Sequence, residues 1–255
     1  MENQIKNTEK FSGKAEVYEK FRPGYPDALY EYLCKNYLPR GGAVADVGAG
    51  TGKFAAGLVK RGIKTFCVEP NADMARVLID ELGGFADFEH ISSPAENIAL
   101  PEQSVDLVTA AQAFHWFDGK AFYASCKRIL KPGGAVALIW NMRERDAAEQ
   151  ALYALDLKYC PHNFKGRSGG IFNGDDSALR EFFPRGFTRT EFENGELSYS
   201  QEQFIGRRLS SSYALRRGEE GYEEYVAALK AHFEKYAVSG KYVERLNTTV
   251  YAGEI

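Results

Sequence analysis

Apolar and polar positions along residues 43–141 fall into two interleaved patterns. Five short apolar runs, residues 43–47, 65–69, 85–91, 105–110 and 135–140, have the length and content of covered strands. Between most of them, apolar residues recur at helical spacing over residues 54–61, 72–82 and 121–130. Strands that alternate with helices across short connections predict a parallel sheet with helices on both faces. Lys131-Pro132-Gly133-Gly134 predicts the end of the last of these helices and the turn into the fifth strand. Upstream, residues 11–37 read as two helical pieces broken at residues 21–26, where Pro23 and Pro26 resist a continuous helix.

Downstream, helices are predicted over residues 144–157, 177–183, 201–209 and 219–236, with a polar, glycine-rich loop over 163–174. Alternation over 188–198 predicts a half-exposed strand, and residues 247–253 predict a closing edge or hairpin strand. These two late strands are separated by a helical excursion over 200–240. The expectation is an α/β fold with a seven-stranded mixed sheet, helices on both faces and an antiparallel last strand. The excursion forms a helical lid over the ligand-binding end. The expected organisation is an N-terminal helical cap segment (1–40), a cofactor-binding core (41–141), a helical cap or insertion (142–186) and C-terminal strands completing the sheet (187–255).

The connection after the first strand carries the candidate chemistry. Asp46 ends that strand, and Gly48, Gly50 and Gly52 follow at alternate positions. Glycine tolerates left-handed backbone and has no Cβ to strike a ligand, and N–H groups near a following helix start can receive an anionic group. The second apolar run ends in an acid, Glu69, whose two oxygens suit the hydroxyls of an unphosphorylated ribose. A nicotinamide site would prefer GxGxxG, whereas this loop is GxGxG behind an acid that would repel a pyrophosphate and welcome an ammonium group. Ala95 and Glu96 after the third strand, and Ala111 and Gln112 after the fourth, fall at the same carboxyl-end crevice. Met74 is placed to pack beside a base or simply between helix and sheet.

Composition narrows the partners. The net charge of -3 lacks the cationic excess of a nucleic-acid surface. No apolar run is long enough to span a bilayer, and the first residues, MENQIKNTEK, have no secretory apolar segment. Four scattered cysteines and four scattered histidines suggest neither a disulfide framework nor a metal site. A cytoplasmic monomer or homodimer with no nucleic-acid or membrane partner is the expectation.

Six strings in order then make a resemblance specific: YEKFRPGYP (18–26), DVGAGTG (46–52), VEPNADM (68–74), SPAENIALP (93–101), AAQAFHWF (110–117) and LKPGG (130–134). The sequence resembles the class I S-adenosylmethionine-dependent methyltransferase family. Its small-molecule enzymes similar to trans-aconitate and ubiquinone/menaquinone-biosynthesis methyltransferases are the nearest subgroup. The resemblance implies a Rossmann-like fold and S-adenosyl-L-methionine as cofactor, with S-adenosyl-L-homocysteine as product. It further implies that Gly48, Ala49 and Gly50 contact the methionyl portion and Asp46 its ammonium. Glu69 with Pro70 would bind ribose, Ala95 and Glu96 would flank adenine, and Tyr18 and Arg22 would close over the methionyl end.

On the acceptor side, His115 follows the fourth strand closely and could take an acceptor proton; the competing reading is a structural histidine. Trp116 would shape the pocket. Asn141 and Arg143, just beyond the fifth strand, could meet the acceptor, as could Tyr199 and Arg208 from the lid. A noncatalytic cofactor-binding protein and a nicotinamide-dependent oxidoreductase remain the alternatives, and the acceptor is a small molecule bearing a carboxylate, hydroxyl or ring carbon.

Overall fold

A computed structural model of the protein describes residues 23–144, 146–162, 176–211 and 213–255. Within them the chain runs α1 (Asp27–Tyr37), β1 (Ala43–Val47), α2 (Ala55–Val59), β2 (Lys64–Val68), α3 (Ala72–Leu82), β3 (Phe88–Ile91), β4 (Val105–Ala111), α4 (Gly119–Ile129) and β5 (Leu130–Arg143). It continues through α5 (Ala147–Tyr159), α6 (Ser177–Phe182), β6 (Thr188–Tyr199), α7 (Gln201–Leu209), α8 (Tyr222–Tyr236) and β7 (Tyr242–Glu254). Short 3-10 turns lie at Ala95–Asn97 and Phe114–Trp116.

The strands form one seven-stranded sheet in the order β3-β2-β1-β4-β5-β7-β6. β1 to β5 are mutually parallel, and β7 pairs antiparallel with both β5 and β6. The expected mixed sheet with an antiparallel last strand is therefore present. Of the two expectations for the last strand, edge or hairpin, the edge is wrong: β7 sits between β5 and β6, pairs antiparallel with β6, and β6 is the outer strand. Its consecutive buried residues, Thr248 to Ala252, are those of a strand covered on both faces.

Alternate residues of the strands feed two cores. Val136, Leu138 and Trp140 of β5 join Phe122, Cys126 and Ile129 of α4 and Phe182 of α6. Ala135, Ala137 and Ile139 join Leu29 and Leu33 of α1 and Leu58 of α2 on the other face. The lid has its own core, in which Leu152 of α5, Phe204 of α7 and Tyr225, Leu229 and Phe233 of α8 meet Tyr199 and Tyr242 at the ends of β6 and β7. Side chains cap four of the helix starts: Asn71 at α3, Asp118 at α4, Asp146 at α5, and Ser200, which with Gln203 makes a reciprocal box at α7.

The largest differences from the expected strand limits are at β3, β5 and β7, the last of which begins at Tyr242 rather than at residue 247. Residues 85–87 are not strand, because Phe85 and Phe88 close turns after α3 before β3 begins. Lys131–Gly134 falls inside β5, but the ladder with β4 is interrupted there: Val105 pairs with Leu130, and pairing resumes at Leu107 with Ala135. No helix among the described residues is long and apolar enough to cross a membrane.

Candidate active site

The chain leaves β1 toward β2 on one side, while β4 lies on the other. Such a switch point opens a crevice at the carboxyl ends of the strands. The connection after β1 is folded back onto β2: the N–H groups of Gly48 and Ala49 both donate to the Val68 carbonyl, at 2.9 and 3.2 Å. Gly48, Gly50 and Gly52 have φ of +69°, +59° and +86°, a region costly to residues with a Cβ. Their surroundings differ. A Cβ on Gly48 would lie 2.6 Å from the Ala113 Cβ and 3.0 Å from Phe117, so this glycine lets the loop press against the turn that carries His115. A Cβ on Gly50 would meet no atom within 4 Å. That part of the loop faces open space.

Two carboxylates stand beside it. Asp46 is 1 % exposed, and its Oδ1 accepts the Thr109 hydroxyl at 2.8 Å from across the β1–β4 ladder. Its Oδ2 is buried with no hydrogen-bond partner among the described residues. Burial pushes the Asp46 carboxyl up to about 7, with the Thr109 hydrogen bond opposing and nearby Glu69 reinforcing the rise. A buried, unpaired carboxylate oxygen is costly, and a cationic N–H donor is the group that would relieve it. Glu69 Oε2 accepts the Gly50 N–H at 2.9 Å and Oε1 the Asn71 N–H at 2.8 Å. Burial raises its pKa while these two N–H groups hold it down. A carboxylate has about four acceptor positions, so each oxygen keeps capacity for a ligand hydroxyl. The unpaired oxygen of Asp46, the remaining acceptors of Glu69 and the open face of Gly50 thus fit a ligand with an ammonium tail and a diol.

The other expected cofactor residues take the following positions. Pro70 is exposed, and Met74 is buried on α3, whose start is fixed by Asn71. Ala95 is buried against the core. Glu96 accepts the N–H of Asp118 at 3.0 Å, tying its turn to the start of α4. Ala111 ends β4, and Gln112 follows with φ +57°, a left-handed conformation that costs a non-glycine residue about 1 kcal/mol or more. Tyr18 and Arg22 lie outside the described residues.

Of the residues expected to meet an acceptor, His115 and Trp116 share the turn after β4, their rings 4.9 Å apart. The turn is pinned from below by Phe114, which packs on Phe122, Trp140 and Phe182. Asn141 donates to the Gly24 carbonyl at 3.0 Å and accepts the Thr248 hydroxyl at 2.6 Å. The remaining candidates join the lid rather than His115. Arg143 and Arg207 flank Glu244, with Nε–O distances of 3.0 and 3.1 Å, and Arg143 also faces Glu149 at 3.5 Å. Tyr199 packs in the lid core under the Arg207 guanidinium. Arg208 is 1 % exposed and engages Asp156 and the Tyr213 hydroxyl. Its charge is satisfied inside the lid.

Sequence reasoning missed Thr109, the partner of Asp46, because the β1–β4 register is a tertiary fact. It also missed Asn194, whose Nδ2 donates to Gly24 and to Asn141. The Asn194-Gly195 dipeptide inside a strand pattern was its signal, since glycine in a strand often marks a bulge.

Comparison with known proteins bears on the same region. Residues 45–138 match the family described as "Methyltransferase domain". An uncharacterized methyltransferase of Mycobacterium tuberculosis (strain ATCC 25618 / H37Rv) is 37% identical over 134 residues, 52% of this chain and 53% of that protein. An uncharacterized methyltransferase of Schizosaccharomyces pombe is 30% identical over 173 residues, 67% of this chain and 65% of that protein. The chain spans about half the length of the first curated relatives it matches. Among solved structures, one described as a type II methyltransferase from Anaeromyxobacter dehalogenans superposes with a TM-score of 0.63 at 24% identity, covering 92% of this chain and 98% of that one. A SAM dependent methyltransferase from Aquifex aeolicus gives 0.52 at 19% identity, covering 69% and 89%. These two likenesses speak to the fold.

Proposed function

We propose that the chain, whose residues 45–138 match the family described as "Methyltransferase domain", belongs to the class I S-adenosylmethionine-dependent methyltransferases and transfers a methyl group from S-adenosylmethionine to a small-molecule acceptor. The acceptor atom belongs to a carboxylate, a hydroxyl or a ring carbon. One observation carries this reading: Glu69 accepts the Gly50 N–H where a Cβ on Gly50 would meet no atom within 4 Å, and nearby Asp46 has a buried oxygen with no hydrogen-bond partner among the described residues.

In this reading Asp46 holds the ammonium group, and Gly48, Ala49 and Gly50 line the methionyl tail. Glu69, with Pro70 beside it, takes the ribose hydroxyls. Met74, Ala95 and Glu96 enclose the base, and Ala111 and Gln112 form the facing wall. When bound, S-adenosylmethionine supplies an electrophilic methyl carbon on a sulfonium sulfur. The protein's part is to align the acceptor with that carbon and keep water out, and good alignment can lower a barrier by roughly 7–11 kcal/mol. Trp116 and the lid shape the acceptor space. His115 takes the proton from an acceptor that arrives protonated.

Calorimetry with S-adenosylhomocysteine tests the cofactor site. Glu69→Ala is expected to weaken binding about ten- to a hundred-fold, the worth of hydrogen bonds to a charged group; unchanged affinity would remove Glu69 from the ribose role. The transfer itself is tested with methyl-labelled donor and a metabolite pool, with the product identified by mass. His115→Ala, assayed with saturating acceptor, is expected to lower turnover about 10²- to 10⁴-fold and to abolish the acidic limb of the pH profile. An intact acidic limb with normal turnover rejects the base assignment.

A further inference from the structure

We propose that Asn194, on the outermost strand, is a positioning residue for the cofactor crevice and acts through Asn141 on Gln112; the inference rests on the reading of that crevice given above. The β6–β7 ladder pairs Glu193 with Asn247 and resumes with Glu196 opposite Arg245. Two residues of β6, Asn194 and Gly195, therefore oppose the single residue Leu246. Gly195 has φ +71°, so the bulge is built on a residue that adopts this conformation without strain. Bulges re-aim side chains. Here the side chain reaches past β7: Asn194 Nδ2 donates to the Gly24 carbonyl at 2.9 Å and to Asn141 Oδ1 at 3.1 Å.

Asn141 is thereby fixed from several sides. Its Oδ1 also accepts the Thr248 hydroxyl at 2.6 Å, and its Nδ2 donates to the same Gly24 carbonyl at 3.0 Å. Its backbone carbonyl in turn accepts Gln112 Nε2 at 3.3 Å, and the Gln112 N–H donates to Ile139 at 2.8 Å. Gln112 stands beyond the last β4–β5 rung, Ala111 opposite Ile139, in a left-handed conformation. Such a conformation persists only where neighbours over-determine it. The hydrogen bonds run from Asn194 through Asn141 to Gln112, so the bulge at the sheet's rim braces a strained residue at the crevice. A bulge that merely blunted an edge against aggregation would need no amide directed at two separate segments.

The test compares wild type with Asn194→Ala, Gln112→Gly and the double variant. In cofactor-free protein, N194A is expected to speed hydrogen exchange at the Gln112 amide about ten-fold while the Thr65 amide, on the far side of β1, is unchanged. S-adenosylhomocysteine affinity should fall about five-fold in N194A. Glycine accepts the left-handed conformation without a brace, so the double variant should bind as Q112G does alone. Unchanged exchange at Gln112, or losses that simply add in the double variant, would overturn the proposal. If wild type takes no S-adenosylhomocysteine, the functional reading fails, and the exchange measurement still decides whether Asn194 braces Gln112.

Discussion

Asp46→Asn is expected to stabilise the cofactor-free protein above neutral pH and, in the same molecule, to weaken S-adenosylhomocysteine binding by about ten- to a hundred-fold. The two effects share a cause. The folded carboxyl titrates at about 7 against an ordinary value of 3.8, so between these values the fold keeps a proton that the unfolded chain has released. The favourable contribution of neutral Asp46 is present in full below about pH 4 and is lost as pH rises through 7. Above that, the fold carries a buried anion costing up to about 4 kcal/mol. Asparagine keeps an acceptor for Thr109 and never ionises, though its amide N–H₂ sits where an unmet hydrogen bond costs about 1–3 kcal/mol. The net gain is a melting temperature higher by a few degrees at pH 8, with little or no gain at pH 4.5. A ligand ammonium reverses the balance, because it stabilises the anion that asparagine cannot form. Calorimetry in buffers of different ionisation enthalpy should show wild type releasing a fraction of a proton on binding at pH 7 and the variant none. A stability difference independent of pH, or equal affinities, would rule out this account of Asp46.

Arg208→Met is expected to destabilise the lid by about 3–5 kcal/mol, because it leaves the Asp156 carboxylate buried without its counter-charge. Asp156 accepts from the hydroxyls of Tyr213, at 3.1 Å, and Tyr225, at 2.8 Å, as well as from Arg208. Those two hydroxyls cannot replace a guanidinium. Replacing both partners, Arg208→Met with Asp156→Leu, removes the stranded charge and should recover most of the loss, since a buried ion pair and a packed apolar pair of similar volume are often nearly equivalent. Urea unfolding of the two single variants and the double gives the coupling directly. A single-variant loss below about 1 kcal/mol would mean that water reaches the pair.

These two residues also mark how far the sequence could be read. The position of Asp46 was legible because it is set locally: it lies in an apolar run and precedes glycines at alternate positions, and strand, turn and helix follow from that spacing. Glu69 was legible for the same reason, though not that its carboxylate would accept the Gly50 N–H. Arg208 was expected near an acceptor, but its pairing with Asp156 lies 52 residues away in sequence. Which face of α7 turns inward is set by α5 and α8, not by α7's own nine residues. Residues 247–253 were recognisable as a strand from their composition. Their place inside the sheet was not, because strand order is decided by packing among β5, β6 and the helices. Asn194 depended on register, which a bulge shifts by one residue and which period-two alternation cannot locate.

The interior position of β7 has a consequence for how the polypeptide is made. β6 reaches the sheet only through β7, which is translated after it. Between the synthesis of Arg143, at the end of β5, and Tyr242, where β7 begins, the ribosome adds about a hundred residues, which takes roughly 5–20 s at 5–20 residues per second. Until β7 is made, the edge of β5 that it pairs with lacks its native partner, and an unpaired strand edge is what makes a folding intermediate prone to aggregate.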